Sequence, residues 1–315
     1  MSVTSSPDEL KSLLASTDVF LFDCDGVLWK NKTVIKGSAE MYSWLVSMKK
    51  TVFFVTNNSS KSRQGYIGKF DSLGMSVEGK QVYTTSYAAA SYLHKRGYKE
   101  TGKSVYIVSG DTGIMEELDR VGIPYHESCR TNEHARMVVD ANTTTAVEYD
   151  RNIGAVIVGK DITFNYFKLH YAQLCINNNP DCLFIATNTD ACSNYSDDDQ
   201  LWAGTGGMVG AVQGCVGHTK PAPDMMCGKP SSLMLNDILE SLPGVDRSRV
   251  CMVGDRLDTD MEFGKAHGLQ TLLVLSGVTS PAQLSLESNC LRKPDFVTES
   301  VRHFHEICRD NDIVA

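Results

Sequence analysis

The sequence predicts an α/β fold built on parallel sheet, and three observations predict it. Short runs rich in β-branched and aromatic residues recur along the chain. They are apolar at successive positions rather than alternate ones, as strands must be when helices cover both faces of a sheet. Stretches with the helical spacing of apolar residues lie between them. The 315 residues also exceed the length at which a single core keeps growing, so two unequal domains are expected.

The elements follow in order. Ser6-Pro7-Asp8-Glu9 supplies an N-cap, a proline at the first helical position and a capping glutamate three residues on, which predicts a short helix through Leu14. Strand runs are expected at Val19 to Phe22, Val52 to Val55, Val105 to Val108, Ala155 to Val158, Leu183 to Ala186, Val250 to Val253 and Thr271 to Leu275. Helix-period stretches are Ala88 to Lys95, Ile114 to Arg120, Leu233 to Ser241 and Asp258 to His267. Pro243-Gly244 and Gly268 are placed to stop the last two helices, and Pro230 suits the first turn of the helix near Leu233.

Composition excludes several classes. With 38 Asp and Glu against 30 Lys and Arg the formal charge is −8, the wrong sign for non-specific nucleic-acid binding. Hydrophobic residues at 42% and charged residues at 22% are ordinary globular usage, so a disordered chain is excluded. The longest apolar strings are strand-sized, well short of a membrane span. Met1 to Leu14 lacks a basic flank and apolar stretch, and Asp312-Ile313-Val314-Ala315 is no retention or prenylation signal. Ten scattered cysteines without a Cys-x-x-Cys pair fit free thiols in a reducing compartment. The expectation is a cytoplasmic protein with no membrane or nucleic-acid partner.

Open α/β sheets bind ligands beyond the carboxyl ends of their strands, and four such places carry chemistry. Asp23 and Asp25 leave the first strand two residues apart, where crowded negative charge calls for a cation; hard Mg²⁺ prefers such oxygens. Asp255 offers a distant carboxylate past another strand, with Asp258 and Asp260 beside it. Thr56, Asn57 and Asn58 supply a hydroxyl, amides and backbone N–H groups for phosphate oxygens, and Lys229 a point positive charge. Each alone has an ordinary reading: an Asp-Gly turn, acids at a helix N-terminus, an Asn-rich loop, a surface lysine. Together they describe a phosphate held between metal and lysine against a carboxylate.

Other patterns fail. Gly154 to Lys160 has the spacing of a phosphate loop, but Asp161 replaces the required Ser or Thr and the intervening residues read as strand. Asp23-Cys24-Asp25-Gly26 has its glycine too early for an EF-hand. Cys24 lies between two acids, which disfavour its thiolate. The histidines form no zinc-ligand spacing.

The segments Asp23-Cys24-Asp25-Gly26-Val27-Leu28-Trp29, Thr56-Asn57-Asn58-Ser59, Gly228-Lys229-Pro230 and Gly254-Asp255-Arg256-Leu257-Asp258-Thr259-Asp260 closely resemble the four motifs of haloacid-dehalogenase-like phosphatases. The branch is that of the 4-nitrophenylphosphatases, which includes phosphoglycolate and pyridoxal phosphate phosphatases. The resemblance covers about Asp18 to Ser276. It implies a Rossmann-like core, a large inserted α/β cap and Mg²⁺. By position, Asp23 would be the nucleophile that becomes an aspartyl phosphate, and Asp25 the acid and base. Thr56, Asn57 and Asn58 would hold phosphoryl oxygens and Lys229 would bridge phosphate and Asp23. The metal would sit on Asp23, the Asp25 backbone carbonyl and Asp255, with Asp260 supporting.

Ser59 to Gly228 is too long for one crossover, so a cap at 103–221 is expected within a catalytic core of 1–102 and 222–315. In this branch the segment after Ala186-Thr187-Asn188 reaches over the site and chooses the substrate. Here it contains no histidine, which argues against pyridoxal phosphate, and its Asp197-Asp198-Asp199 reads as a solvated loop. Caps of the branch often mediate homodimers. The expected function is a Mg²⁺-dependent phosphomonoester hydrolase of small metabolites, 4-nitrophenylphosphatase-like, with 2-phosphoglycolate as physiological substrate. A phosphomutase and a non-catalytic phosphate-ligand binding protein are the alternatives.

Overall fold

The computed structural model describes residues 4–31, 33–139, 146–194 and 200–309. Two parallel sheets organise them. The larger has six strands in the spatial order Phe296–Thr298, Gln270–Val274, Val250–Gly254, Val19–Phe22, Thr51–Thr56 and Val82–Thr84. The first strand in the chain is therefore central: from it the chain builds outward to one side, then returns to build the other. The crevice between Val19–Phe22 and Val250–Gly254 is where strand order reverses, the place at which such sheets hold ligands. Their register pairs Val19 with Val250 and Phe22 with Val253, so both chains leave the sheet at the same level.

The continuous apolar runs have the expected cause. Along the first strand, Phe20 and Phe22 point into one core with Leu10, Trp29, Phe54 and Phe304. Val19 and Leu21 point into another with Ala89, Met234, Met252 and Phe263, as the two-residue period of a strand requires. The second core also takes Val105, Ile107, Ile114, Ile157 and Ile185, so one apolar layer is shared with the second sheet. That sheet runs Met225–Met226, Leu183–Ala186, Ile153–Val158 and Ser104–Val108. Its other face, from Val156, Val158 and Phe184, packs on the helices Tyr166–Asn178 and Thr205–Val216.

Ser6 caps the helix Pro7–Ser16 through a full capping box with Glu9, and every expected strand is present within a residue or two. Two local expectations need correction. Pro230 lies before the helix Leu233–Glu240 rather than in its first turn, since the N-cap is Ser232. The stretch expected as one helix from Asp258 to His267 is wound as π-helix over Leu257–Met261 and becomes α-helix only at Glu262–Ala266. The acidic triplet 197–199 falls outside the described residues. Among those described, no helix is long and apolar enough to cross a membrane.

The Phe54 ring meets Phe22, Tyr42 and Phe70 at centroid separations of 6.4, 5.6 and 4.4 Å. Phe54→Ala should therefore lower the stability in urea unfolding by about 3–5 kcal/mol. Leu286→Ala, at a side chain 84% exposed, should change it by less than about 0.5 kcal/mol.

Candidate active site

Asp23 is the first residue past its strand. Its N–H donates to the Val253 carbonyl at 2.9 Å, so the sheet ladder continues one step and fixes where the carboxylate starts. The carboxylate is buried and meets Lys229, whose Nζ donates to Asp23 Oδ1 at 2.7 Å and to the Val55 carbonyl at 2.7 Å. Asp260 Oδ1 stands 2.8 Å from the same ammonium. Asp260 Oδ2 accepts the backbone N–H groups of Asp255 and Arg256, both at 3.1 Å, so the π-turn folds this carboxylate back beneath the strand end. Asp255 Oδ2 accepts the Val278 N–H at 2.7 Å, whereas its buried Oδ1 finds no donor among the described residues.

Carboxylate oxygens of Asp23, Asp255 and Asp260 all lie within 4.8 Å of one another. Three buried carboxylates with one ammonium among them are under-compensated. Burial, then Asp260, raises the Asp255 carboxyl to about 7. Burial also pushes Asp23 well above its usual range, helped by Asp260 and Asp255 and opposed by Lys229. For Lys229, burial works against the charge but Asp23 and Asp260 outweigh it, so the ammonium is held above its ordinary value. The uncommitted Asp255 oxygen beside two other hard oxygen donors fits a divalent cation.

Glycine makes the space. Gly26 has φ +88°, and a Cβ there or on Gly277 would run into the Asp255 carboxylate. Asp25 lines the same pocket, and its Oδ1 accepts the Trp29 Nε1–H at 2.9 Å. Burial and the two flanking acids raise the Cys24 thiol far above its normal value, in keeping with its exclusion as a nucleophile.

The expected phosphate loop divides into separate tasks. Thr56 is buried at the strand end and its hydroxyl accepts the Asn58 N–H at 3.2 Å. Asn58 Oδ1 accepts the N–H and hydroxyl of Ser60 at 2.8 and 2.7 Å, closing a tight turn. The Asn57 side-chain amide has partners at both ends. Its Oδ1 accepts the Lys229 N–H at 2.7 Å, and its Nδ2 donates to the Lys229 carbonyl and to Asp190 Oδ1, both at 3.1 Å. Through these bonds the side chain clamps the lysine backbone. Asp258 pairs with Arg256 at the surface, at 2.9 Å, apart from the carboxylate cluster.

Asp23, Asp25, Thr56, Asn57, Asn58, Lys229, Asp255 and Asp260 all line one cavity of about 130 Å³, although they come from segments more than 200 residues apart in the chain. The cavity also takes Lys160, Asn188, Asp190 and Arg256, which were not singled out as site residues from the sequence, although the segment after Asn188 was expected to reach over the site. Three of these, Lys160, Asn188 and Asp190, lie two to four residues past strands of the second sheet, so the carboxyl-end rule points to them as well. A failed phosphate-loop pattern is not a reason to discard Lys160.

The haloacid dehalogenase-like hydrolase model matches residues 20–124, and a second model, described as HAD-hydrolase-like, matches 226–304. The chain is 42% identical over 301 residues to the chloroplastic phosphoglycolate phosphatase 1A of Arabidopsis thaliana, spanning 96% of this chain and 80% of that protein. It is 34% identical over 303 residues to the 4-nitrophenylphosphatase of Schizosaccharomyces pombe, spanning 96% and 98%. The chain belongs to the haloacid dehalogenase-like hydrolases. It is a phosphatase of that family, as its motifs led us to expect, and its relatives include enzymes named for small phosphorylated metabolites, phosphoglycolate and glycerol 3-phosphate. Among solved structures, the 4-nitrophenylphosphatase of Thermotoga maritima superposes with a TM-score of 0.74 at 27% identity, covering 94% of this chain and 99% of that one. A glycerol phosphate phosphatase from Mycobacterium tuberculosis in complex with magnesium gives 0.69 at 25% identity, covering 93% and 78%.

The raised carboxyls set a pH dependence in chelator. Asp255 keeps its proton in the fold to about pH 7 but would release it near its ordinary 3.8 when unfolded. The native state then binds more protons across that window, so stability falls as pH rises through it. The melting temperature without divalent cations should drop from about pH 4 to about pH 7, and Asp255→Asn should flatten the slope. A melting temperature that climbs across the window in both proteins contradicts this electrostatic reading.

Proposed function

We propose that the pocket hydrolyses small phosphomonoesters by way of an aspartyl phosphate on Asp23, that Mg²⁺ is the cation it uses, and that 2-phosphoglycolate is its physiological substrate. The observation that carries this reading is a buried carboxylate held 2.7 Å from the Lys229 ammonium beside two further carboxylates. An Asp23 oxygen attacks phosphorus as the ester P–O bond breaks, and Asp25 gives its proton to the departing alkoxide. Asp25 then takes a proton from the water that attacks the same phosphorus, which breaks the bond to Asp23 and frees phosphate.

Lys229 fixes the attacking oxygen and offsets its repulsion by the phosphoryl group. Thr56, Asn57 and Asn58 hold phosphoryl oxygens, the Asn57 side chain also keeping Lys229 in place. Asp23, the Asp25 backbone carbonyl and Asp255 would hold Mg²⁺, with Asp260 supporting. When bound, the ion neutralises charge on the phosphoryl oxygens and draws phosphorus toward attack.

A cavity of about 130 Å³ is below the roughly 300 Å³ at which drug-sized ligands start, which supports a short-chain ester; 4-nitrophenyl phosphate is the expected artificial substrate. Two separate parallel sheets support a core of 1–102 and 222–315 with a substrate-choosing cap at 103–221, the last strand of the cap sheet, Met225–Met226, lying just past that boundary. Ten cysteines scattered along the chain without a Cys-x-x-Cys pair support a reducing compartment, which we take to be the cytoplasm.

Phosphate release from 4-nitrophenyl phosphate should require Mg²⁺. Asp23→Asn should reduce it by more than about 10³-fold, and Asp25→Asn by about 10²–10⁴-fold, with circular dichroism unchanged. Near-normal turnover by Asp23→Asn overturns the assignment.

A further inference from the structure

The Asn57 side chain that clamps Lys229 is itself held, and in part by the second sheet. Its Oδ1 accepts the Lys229 N–H at 2.7 Å, and one Nδ2 hydrogen goes back to the Lys229 carbonyl at 3.1 Å. These two bonds join the asparagine and the lysine backbone into one unit. Other contacts decide where that unit sits. The Asn57 carbonyl accepts the Thr85 hydroxyl at 2.8 Å and the Asn188 Nδ2–H at 2.7 Å. The second Nδ2 hydrogen goes to Asp190 Oδ1 at 3.1 Å, the one charged acceptor that this amide meets.

The backbone of Asp190 is fixed from both sides. Its N–H donates to Asn188 Oδ1 at 3.1 Å. Its carbonyl accepts the Gly206 N–H at 3.0 Å, one of the donors that the first turn of the helix Thr205–Val216 leaves without an intrahelical partner. A Cβ on Gly204 would lie 2.1 Å from that carbonyl, and one on Gly228 would lie 2.7 Å from Asn57 Oδ1. Glycine at both places lets the segment after Leu183–Ala186 close on the asparagine. Burial raises the Asp190 carboxyl from its ordinary value, while Arg256, the Asn57 bond and Lys229 act to keep it ionised. An ionised acceptor makes the stronger hydrogen bond.

We propose that Asp190 is a positioning residue for the hydrolysis: by holding the Asn57 amide it keeps Lys229 placed against Asp23, although its own bond goes to the asparagine. This rests on the catalytic role given to Lys229 above and adds the connection by which the second sheet reaches that lysine. A reacting group displaced by even an ångström loses much of its rate, so a carboxylate outside the reaction can still govern it.

Hydrolysis of 4-nitrophenyl phosphate with Mg²⁺ tests this in a double-mutant cycle. Asp190→Leu, similar in size but without an acceptor, should lower kcat by about ten- to a hundredfold and change KM by less than about threefold. Asp190→Asn still offers an oxygen to the Asn57 amide and should keep at least about half of kcat. In an Asn57→Ala background, Asp190→Leu should cost less than about twofold further, because the group it acts through is gone. Asp190→Ala serves as a second variant without an acceptor, and each kcat is referred to the folded fraction read by circular dichroism. A kcat near wild type in both acceptor-free variants, a loss in Asp190→Asn as deep as theirs, or an equal loss with and without the Asn57 amide overturns the inference and leaves the catalytic assignment standing. No phosphate release by the wild type overturns both.

Discussion

Everything in the site depends on one imbalance of charge. Three carboxylates, Asp23, Asp255 and Asp260, are packed within a few ångströms of one another, with the single ammonium of Lys229 in contact with two of them. At such separations, in a buried setting, like charges repel strongly, and the molecule has three remedies. It can hold protons on the acids, bring in a cation, or fall apart locally. The raised Asp23 and Asp255 carboxyls express the first. The uncommitted Asp255 oxygen expresses readiness for the second. The third is prevented by the fold, since Asp260 is tied by two backbone N–H groups and Lys229 is clamped by Asn57.

Topology lets distant parts of the chain bear on one point. A central first strand flanked by the strand that leads to Asp255 puts Asp23 and Asp255 at adjacent strand ends. The neighbouring strand Thr51–Thr56 adds its loop beside them. The shared apolar layer, which joins Leu21 and Val55 of one sheet to Val105, Ile107 and Ile157 of the other, brings the loops of the second sheet to the same cavity. A buried, like-charged cluster lowers stability, and this hydrophobic layer offsets the cost at a distance from the chemistry.

Much of this was legible in the sequence because it was local. The capping box at Ser6, the uninterrupted apolar strands and the acids just past strand ends each follow from a few consecutive residues. What was not legible depended on contacts made only after folding. The hydrogen bonds of the Asn57 side-chain amide reach the backbone of a residue 172 positions away, which its loop gives no sign of. The helix Thr205–Val216 contains glycines at 206, 207, 210 and 214, against its propensity, and forms because Val209, Val212 and Val216 are buried against the second sheet. The π-turn that carries Asp260 has the apolar spacing of an ordinary helix. Lys160 sat inside a motif whose failure concealed its position at a strand end.

Diffraction from crystals soaked in Mn²⁺ tests the central claim most directly, because the anomalous signal places the ion without assumption about its ligands. One peak is predicted between the side chains of Asp23 and Asp255, at coordination distance from both, with Lys229 still in contact with Asp23. A peak bound elsewhere, or none there at a Mn²⁺ concentration that supports phosphate release, would contradict the account.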